Sequence, residues 1–165
     1  MKQIRKGVFE TNSSSVHAIC INNHYDIHNV DGICFGFGEF GWQCDTLDYL
    51  DGKADYLWTA INEFYEDEPD KIEEICNKIK EWFRDDCIIA LFKEKNEDDI
   101  WKNGYVDHCS ELIDFLEWVL ECKDNLYSYL FGDSLVELGN DNDEDAIPSI
   151  GNYNEKYDRV FVKGN

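Results

Sequence analysis

The sequence predicts an α+β fold in a single domain, with a mostly antiparallel sheet packed against about three amphipathic helices. Three observations carry this prediction. The chain has 165 residues, a length typical of one domain. Hydrophobic residues make up 43% of it and aromatic residues 15%, enough to fill an interior. Strand-like segments lie at both ends, and segments with helical spacing of apolar residues lie between them.

The N-terminal part predicts short strands. Residues 3–9 form the first candidate, and the stretch "SVHAICIN" over 15–22 forms the second. Apolar residues occupy both alternating positions of the second stretch, which is typical of a strand buried on both faces. The aromatic and glycine-rich residues 32–42 predict a strand followed by a turn.

The middle of the chain predicts helices over 54–65, 70–83 and 111–122, because apolar residues recur there at intervals of three and four. Pro69 suits the first turn of the second helix. Ser110 is the predicted N-cap of the third. The run "CIIALF" over 87–92 is compatible with a buried strand or with a short continuation of the second helix.

The C-terminal part predicts a return to β structure. The stretches "NLYSYLF" and "SLVEL" are predicted to form a hairpin through Gly132 and Asp133. Residues 139–151 are predicted to form a polar loop, and residues 156–163 a last strand. No internal repeat or linker divides the chain.

The charge distribution is the most unusual feature of the sequence. The net charge is −21, and residues 21–145 alone carry −24. Such a field repels nucleic acid and attracts basic surfaces, so we expect no direct nucleic-acid binding. The chain has no apolar run that predicts a membrane span and no signal-peptide pattern. Its seven cysteines include no CxxC pair, so we expect reduced thiols in a cytosol and no thiolate zinc site.

Two loop motifs resemble known ligand-binding loops, one for a dinucleotide and one for calcium. The stretch "GFGEFG" places Gly36, Gly38 and Gly41 in a GxGxxG pattern, but Glu39 lies where phosphates would bind, and no helix clearly follows. We therefore interpret it as a turn that needs positive φ. The stretch "DNDED" over 141–145 lacks the glycine and the distal glutamate of a calcium-binding EF-hand loop. We predict no cofactor and no metal.

A stripe of carboxylates marks the third predicted helix. Its members are spaced by three or four residues and would therefore lie about one turn, roughly 5.4 Å, apart. An ordinary solvated helix face would show the same pattern, but the charge of the whole chain favours a binding role. The predicted partner-binding residues are Asp107, Glu111, Asp114, Glu117 and Glu121.

A different set of polar residues supports an alternative, enzymatic interpretation. It combines the NSSSxH, DHxS and GNDND clusters, which could supply a nucleophile, a general base and carboxylates if they met in space. Asn12 to Ser14 would form a tight turn toward which His17 points. The candidate catalytic residues of this alternative are Ser13, Ser14, His17, Asp107, His108 and Asp141.

The stretches "RKGVFETNSSSVH", "YVDHCS" and "GNDND", in this order, resemble a family of small uncharacterised proteins from Firmicutes, their phages and mobile elements. The resemblance spans most of the chain. It implies a bacterial or phage cytosol and an opening stretch that is more than an accidental turn. It implies no activity, so no catalytic role is carried over to this sequence.

Charge and resemblance together lead to the functional expectation. We expect an acidic inhibitor from a phage or mobile element that mimics nucleic acid and occupies the groove of a basic host defence protein, as anti-CRISPR proteins do. The alternative is a small cytosolic enzyme, a hydrolase or a metal-dependent nucleotidyl-type enzyme. A third interpretation is a housekeeping fold whose charge serves solubility.

Overall fold

The computed structural model describes residues 15–41, 45–96, 98, 100–140 and 150–163. The candidate strand over 3–9, the turn over Asn12 to Ser14 and the acidic stretch over 141–145 lie outside these residues. The strands are β1 (Ser15–Ile21), β2 (Gly32–Phe35), β3 (Glu39–Phe40), β4 (Asp45–Leu47), β5 (Ile89–Phe92), β6 (Tyr105–Val106), β7 (Leu135–Asn140) and β8 (Arg159–Lys163). The helices are α1 (Leu50–Phe64), α2 (Pro69–Asp85), α3 (Ile113–Val119), α4 (Lys123–Phe131) and α5 (Ile150–Lys156).

The main sheet is built around β1, the strand that the sequence predicts to be buried on both faces. Its order is β4-β7-β1-β8, and β1 pairs antiparallel with both neighbours. Six of the seven residues of β1 are buried, as expected for a central strand covered on both sides. The prediction of an α+β fold with a mostly antiparallel sheet packed against helices is confirmed.

Two helices are predicted from periodicity, and both pack against the β2–β5 pair, α1 on β2 and α2 on β5. The predicted helix 54–65 is α1, which begins one turn earlier at Leu50. The predicted helix 70–83 is α2, with Pro69 in its first turn. Its buried residues Ile75, Ile79 and Phe83 follow one stripe at intervals of four, which is the period that predicted it.

Two short parallel pairs, β2 with β5 and β3 with β6, contact α1 through β2 and β6. The run over 87–92 is thus a strand, but only one of its faces is covered. Gly104 lies just before β6 with φ +61, and a Cβ there would lie 2.0 Å from the carbonyl oxygen of Gly38. Only glycine fits this conformation and this close approach.

Two predicted elements differ in the structure. The predicted hairpin strand over 125–131 is the helix α4, whose buried side chains Leu126 and Leu130 lie one turn apart. Aromatic residues raise β propensity, but burial against α1 and α3 decides for the helix here. The predicted strand over 156–163 is shorter, because α5 continues to Lys156.

The predicted helix over 111–122 is also divided. Residues Cys109–Leu112 form a 3-10 turn, and the α-helix begins at Ile113. Ser110 therefore lies inside the 3-10 turn and does not cap the helix, whose N-cap residue is Leu112. The apolar face of the segment agrees with the sequence: the buried residues are Leu112, Phe115, Leu116 and Val119.

Candidate functional site

A buried lysine on β8, Lys163, connects the start of β1 with the DHxS segment. The Lys163 ammonium donates to the Ser15 hydroxyl at 2.6 Å, to the Ser15 carbonyl at 3.3 Å and to the Asp107 carbonyl. The residue is 2% exposed, and burial lowers its pKa from 10.5 to about 8. Three oxygen acceptors satisfy the three donors of the ammonium. No motif in the sequence pointed to Lys163, because its partners lie 56 and 148 residues away.

His17 lies in the interior near this lysine. Its Nδ1 lies 2.9 Å from the Tyr56 hydroxyl and its Nε2 lies 3.3 Å from the Gly41 carbonyl. Burial, followed by the charge of Lys163, lowers the His17 pKa to about 3. The imidazole is therefore neutral at pH 7, and since the Gly41 carbonyl can only accept, Nε2 carries the proton and Nδ1 accepts from Tyr56.

The DHxS segment forms the turn that leads into the 3-10 helix. His108 has a left-handed backbone with φ 52, and its side chain is about half exposed. Its Nε2 lies 3.9 Å from a carboxylate oxygen of Asp107, and its Nδ1 lies 3.9 Å from one of Glu111. Cys109 is buried and donates its thiol to the Ala60 carbonyl at 3.3 Å. Burial raises the Cys109 pKa to about 12, so this thiol is not a nucleophile at neutral pH.

The fold brings parts of the three predicted catalytic clusters to one end of the main sheet. Ser15 pairs with Asn140 and Val16 with Gly139, so the backbone of the NSSSxH strand lies beside the start of GNDND. Lys163 adds the DHxS turn through the Asp107 carbonyl. Ser13, Ser14 and Asp141, three of the candidate catalytic residues, lie outside the described residues.

This polar cluster stabilises the fold without offering an open site among the described residues. Ser15 and His17 are 0% exposed, and every donor of Lys163 is already engaged. Lys53 makes the same kind of contact elsewhere: it is 2% exposed and donates to the Ser134 hydroxyl at 3.0 Å and to the carbonyls of Gly132 and Ser134. The repetition of this arrangement indicates a lysine that holds chain segments together by hydrogen bonds.

The carboxylate stripe, by contrast, leads to the surface. Asp114, Glu117 and Glu121 are exposed and lie along one shallow groove between α3 and β8, with a volume of about 680 Å³. The half-buried rings of Trp118 and Phe161 also line the groove.

The two other predicted members of the stripe take part in the His108 turn. Glu111 lies beside His108, and Asp107 contributes its backbone carbonyl to Lys163. The stripe predicted as one row is therefore divided into a groove of three carboxylates and a turn with two.

A guanidinium already occupies part of this groove. The Arg159 side chain lies over the Trp118 ring at 5.2 Å and over the Phe161 ring at 5.8 Å from the ring centroids. Cations at such distances are attracted by the ring quadrupole. The four charged side chains that line the groove sum to −2. The groove thus combines an aromatic floor that accepts a cation with an excess of carboxylates.

The glycine-rich loop is filled by side chains of α1. The Gly36 amide donates to an Asp55 carboxylate oxygen at 2.6 Å, and the Gly38 amide donates to the Thr59 hydroxyl at 3.1 Å. These are the amides that would bind a phosphate. Neither glycine has positive φ, so the expected reason for them is wrong. A Cβ on Gly36 would lie 2.6 Å from an Asp55 carboxylate oxygen, so a side chain there would displace the carboxylate that this amide binds.

Among the residues that the structure describes, no group of three or more His, Cys, Asp or Glu side chains is placed to hold a metal ion. Within the same part of the chain, no helix combines the length and apolar character that crossing a bilayer requires.

Comparisons with known proteins add no relative. No protein-family model, no curated protein and no solved structure matches this chain. The class of protein is therefore defined by the fold and the surface alone: an acidic α+β protein with a carboxylate-lined groove.

Proposed function

We propose that this protein is an acidic inhibitor that binds a basic nucleic-acid-binding protein in place of nucleic acid. The observation that carries the proposal is the groove between α3 and β8, which is lined by Asp114 and Glu117 of α3 and by Glu121 in the turn that follows the helix. The resemblance to proteins of phages and mobile elements suggests the setting. The partner is then a host defence protein, and the activity resembles that of an anti-CRISPR protein.

The rigidity of α3 supports this use of its carboxylates. Phe115, Leu116 and Val119 anchor the opposite face of the helix and are at most 1% exposed. Phe115 packs edge-on against Tyr129 and Phe161, with ring centroids 5.1 and 5.6 Å apart. A partner therefore meets carboxylates whose backbone is already ordered, and binding costs little conformational entropy beyond that of the side chains.

The charge of the whole chain supports the choice of partner. At −21 the protein repels nucleic acid and attracts basic surfaces over roughly 8–10 Å at physiological ionic strength. Attraction of this kind raises the association rate, and close contacts with the groove then supply specificity. The Arg159 guanidinium lies 5.2 Å from the Trp118 ring centroid, and a partner's arginine that displaced it would make the same kind of contact with this ring.

The proposal is tested with purified RNA-guided DNA nucleases and labelled duplex DNA. We expect the wild-type protein to prevent DNA binding and cleavage by a susceptible nuclease. A variant with Asp114→Lys, Glu117→Lys and Glu121→Lys should lose inhibition, because three attractions become repulsions. Disrupting close charge pairs typically costs about 2–5 kcal/mol of affinity, roughly 30-fold or more.

A matched control separates the groove from the overall charge. The exposed residues Asp51, Glu94 and Glu155 lie on α1, after β5 and on α5, outside the groove. Changing all three to lysine alters the net charge by the same amount, from −21 to −15. This variant should inhibit almost as well as the wild type. Equal loss of inhibition in both variants would show that the groove acts only through its contribution to the net charge. Full inhibition by the groove variant would refute the proposal.

A further inference from the structure

The two rings that form the floor of the groove between α3 and β8 are held in place by packing. Trp118 on α3 and Phe161 on β8 are half-buried, and their ring centroids lie 5.6 Å apart. Phe161 also packs edge-on against Phe115, which is 1% exposed, with ring centroids 5.6 Å apart. Because close-packed rings resist displacement, this aromatic floor keeps its position when a side chain that lies on it moves away.

The Arg159 side chain lies on the outer side of this floor and is exposed. Its backbone is fixed, because Arg159 pairs with Ile21 in the main sheet. Side chains two residues apart on a strand point to the same side, so Arg159 and Phe161 both face the groove. Rotations about the side-chain bonds alone therefore remove the guanidinium from the rings. Exposed side chains make such rotations within nanoseconds, and only the cation–π contact is lost.

The chemistry of the groove favours a guanidinium over an ammonium. A guanidinium is planar, stacks on aromatic rings, is weakly hydrated and forms paired hydrogen bonds with a carboxylate. The groove offers both kinds of contact, through two rings and three carboxylates. Without Arg159 its charged side chains would sum to −3 instead of −2. Arg159 thus occupies the position in which the arginine of a basic ligand would gain most.

We propose that Arg159 is a built-in competitor, which covers the aromatic floor in the free protein and is displaced by an arginine of the partner. This inference rests on the proposed function, since it concerns the same groove and the same basic partner. It adds that the residue recognised is an arginine and that the chain itself weakens the groove. Removing Arg159 should therefore strengthen binding, and it should do so more for arginine than for lysine.

Two labelled peptides with capped ends, Arg-Gly-Arg-Gly-Arg and Lys-Gly-Lys-Gly-Lys, test the competition. Their affinities for the full chain are measured by fluorescence anisotropy in about 0.05 M sodium chloride, where screening is weak. Arg159→Ala should bind the arginine peptide at least about threefold more tightly than the wild type does, because no cation–π contact has to be broken first. The lysine peptide should gain less, since an ammonium is more strongly hydrated and lacks the planar surface that stacks.

Arg84→Ala is the matched control for charge. Arg84 is an exposed arginine on α2, outside the groove, and its loss also changes the net charge from −21 to −22. This variant should bind both peptides nearly as the wild type does. A second measurement uses the unmodified chain: the nuclear magnetic resonance signal of the Trp118 indole N–H, assigned with Trp118→Phe, should shift more with the arginine peptide than with the lysine peptide.

Equal gains in Arg159→Ala and Arg84→Ala would refute the competition, because Arg159 would then act only through the net charge. Weaker binding by Arg159→Ala would also refute it and would make Arg159 part of the binding surface. The peptide result is separate from nuclease inhibition. Inhibition without a gain in Arg159→Ala would overturn this inference and leave the proposed function standing. A gain for the arginine peptide without inhibition of any nuclease would support the competition and contradict the proposed function alone.

Discussion

At the scale of single residues, His17 shows how burial fixes a protonation state. Its ring has partners on both nitrogens, and its pKa of about 3 lies well below the 6.5 of an exposed histidine. Between these two values the unfolded chain binds a proton that the folded chain does not. The free energy of unfolding therefore increases with pH in this window. The stability that the neutral His17 contributes is lost as the pH falls from 6.5 toward 3.

This linkage predicts that the free energy of unfolding depends on pH through His17, and that replacing His17 by a side chain that does not titrate removes this dependence. From pH 7 to pH 5, where most carboxylates stay ionised, His17 should reduce the free energy of unfolding by about 2 kcal/mol. His17→Gln should be less stable at pH 7 but should have a flatter profile over this range. Urea denaturation at pH 5, 6 and 7 measures both. Parallel profiles for the two proteins would show that His17 is not the group that titrates.

At the scale of elements, α3 separates the residues that fold the protein from those proposed to bind its partner. Its buried face consists of Phe115, Leu116 and Val119, and its exposed face carries Asp114 and Glu117. Substitutions of exposed residues usually change stability by no more than about 0.5 kcal/mol each. The groove variant with three lysines, at Asp114, Glu117 and Glu121, is therefore a test of binding and not of folding.

We expect that variant to unfold within about 1.5 kcal/mol of the wild type, at most about 0.5 kcal/mol for each site. Loss of the carboxylate in the first turn of α3 weakens the interaction with the helix dipole, but the lysines attract the remaining acidic surface. Leu116→Ala, at a residue that is 0% exposed, should cost about 2–5 kcal/mol. Thermal and urea denaturation compare the two, and a groove variant as unstable as Leu116→Ala would contradict this division of the helix.

At the scale of the whole molecule, the charge of −21 acts against the compact state. Folding brings the carboxylates closer together than they are in the unfolded chain, and salt screens the resulting repulsion. We predict that raising sodium chloride from about 0.01 M to 0.5 M, which shortens the Debye length severalfold, increases the midpoint of thermal unfolding. The variant with lysine at Asp51, Glu94 and Glu155 should show a smaller increase, since its charge is −15. A midpoint that falls with salt would contradict the prediction.

The sequence by itself determined the features that depend on local order. Apolar periodicity predicted α1 and α2, and the doubly apolar pattern of residues 15–22 predicted the central strand β1. Helical spacing also predicted that Asp114 and Glu117 share one face, as they do in the groove. These features follow from residues within one or two turns of each other, so the sequence is sufficient to find them.

Only the tertiary structure decided which distant residues meet. Arg159 and Phe161 reach the groove because β8 packs beside α3, and no local pattern encodes that contact. Lys163 lies against Ser15 because β8 pairs with β1 over 148 residues of separation. The segment of α4 has a composition that suits strand or helix, and burial against its neighbours selects the helix. Local propensities differ by a few tenths of a kcal/mol, whereas burying one large apolar side chain contributes about 1.5–3 kcal/mol, so packing decides where the local pattern is ambiguous.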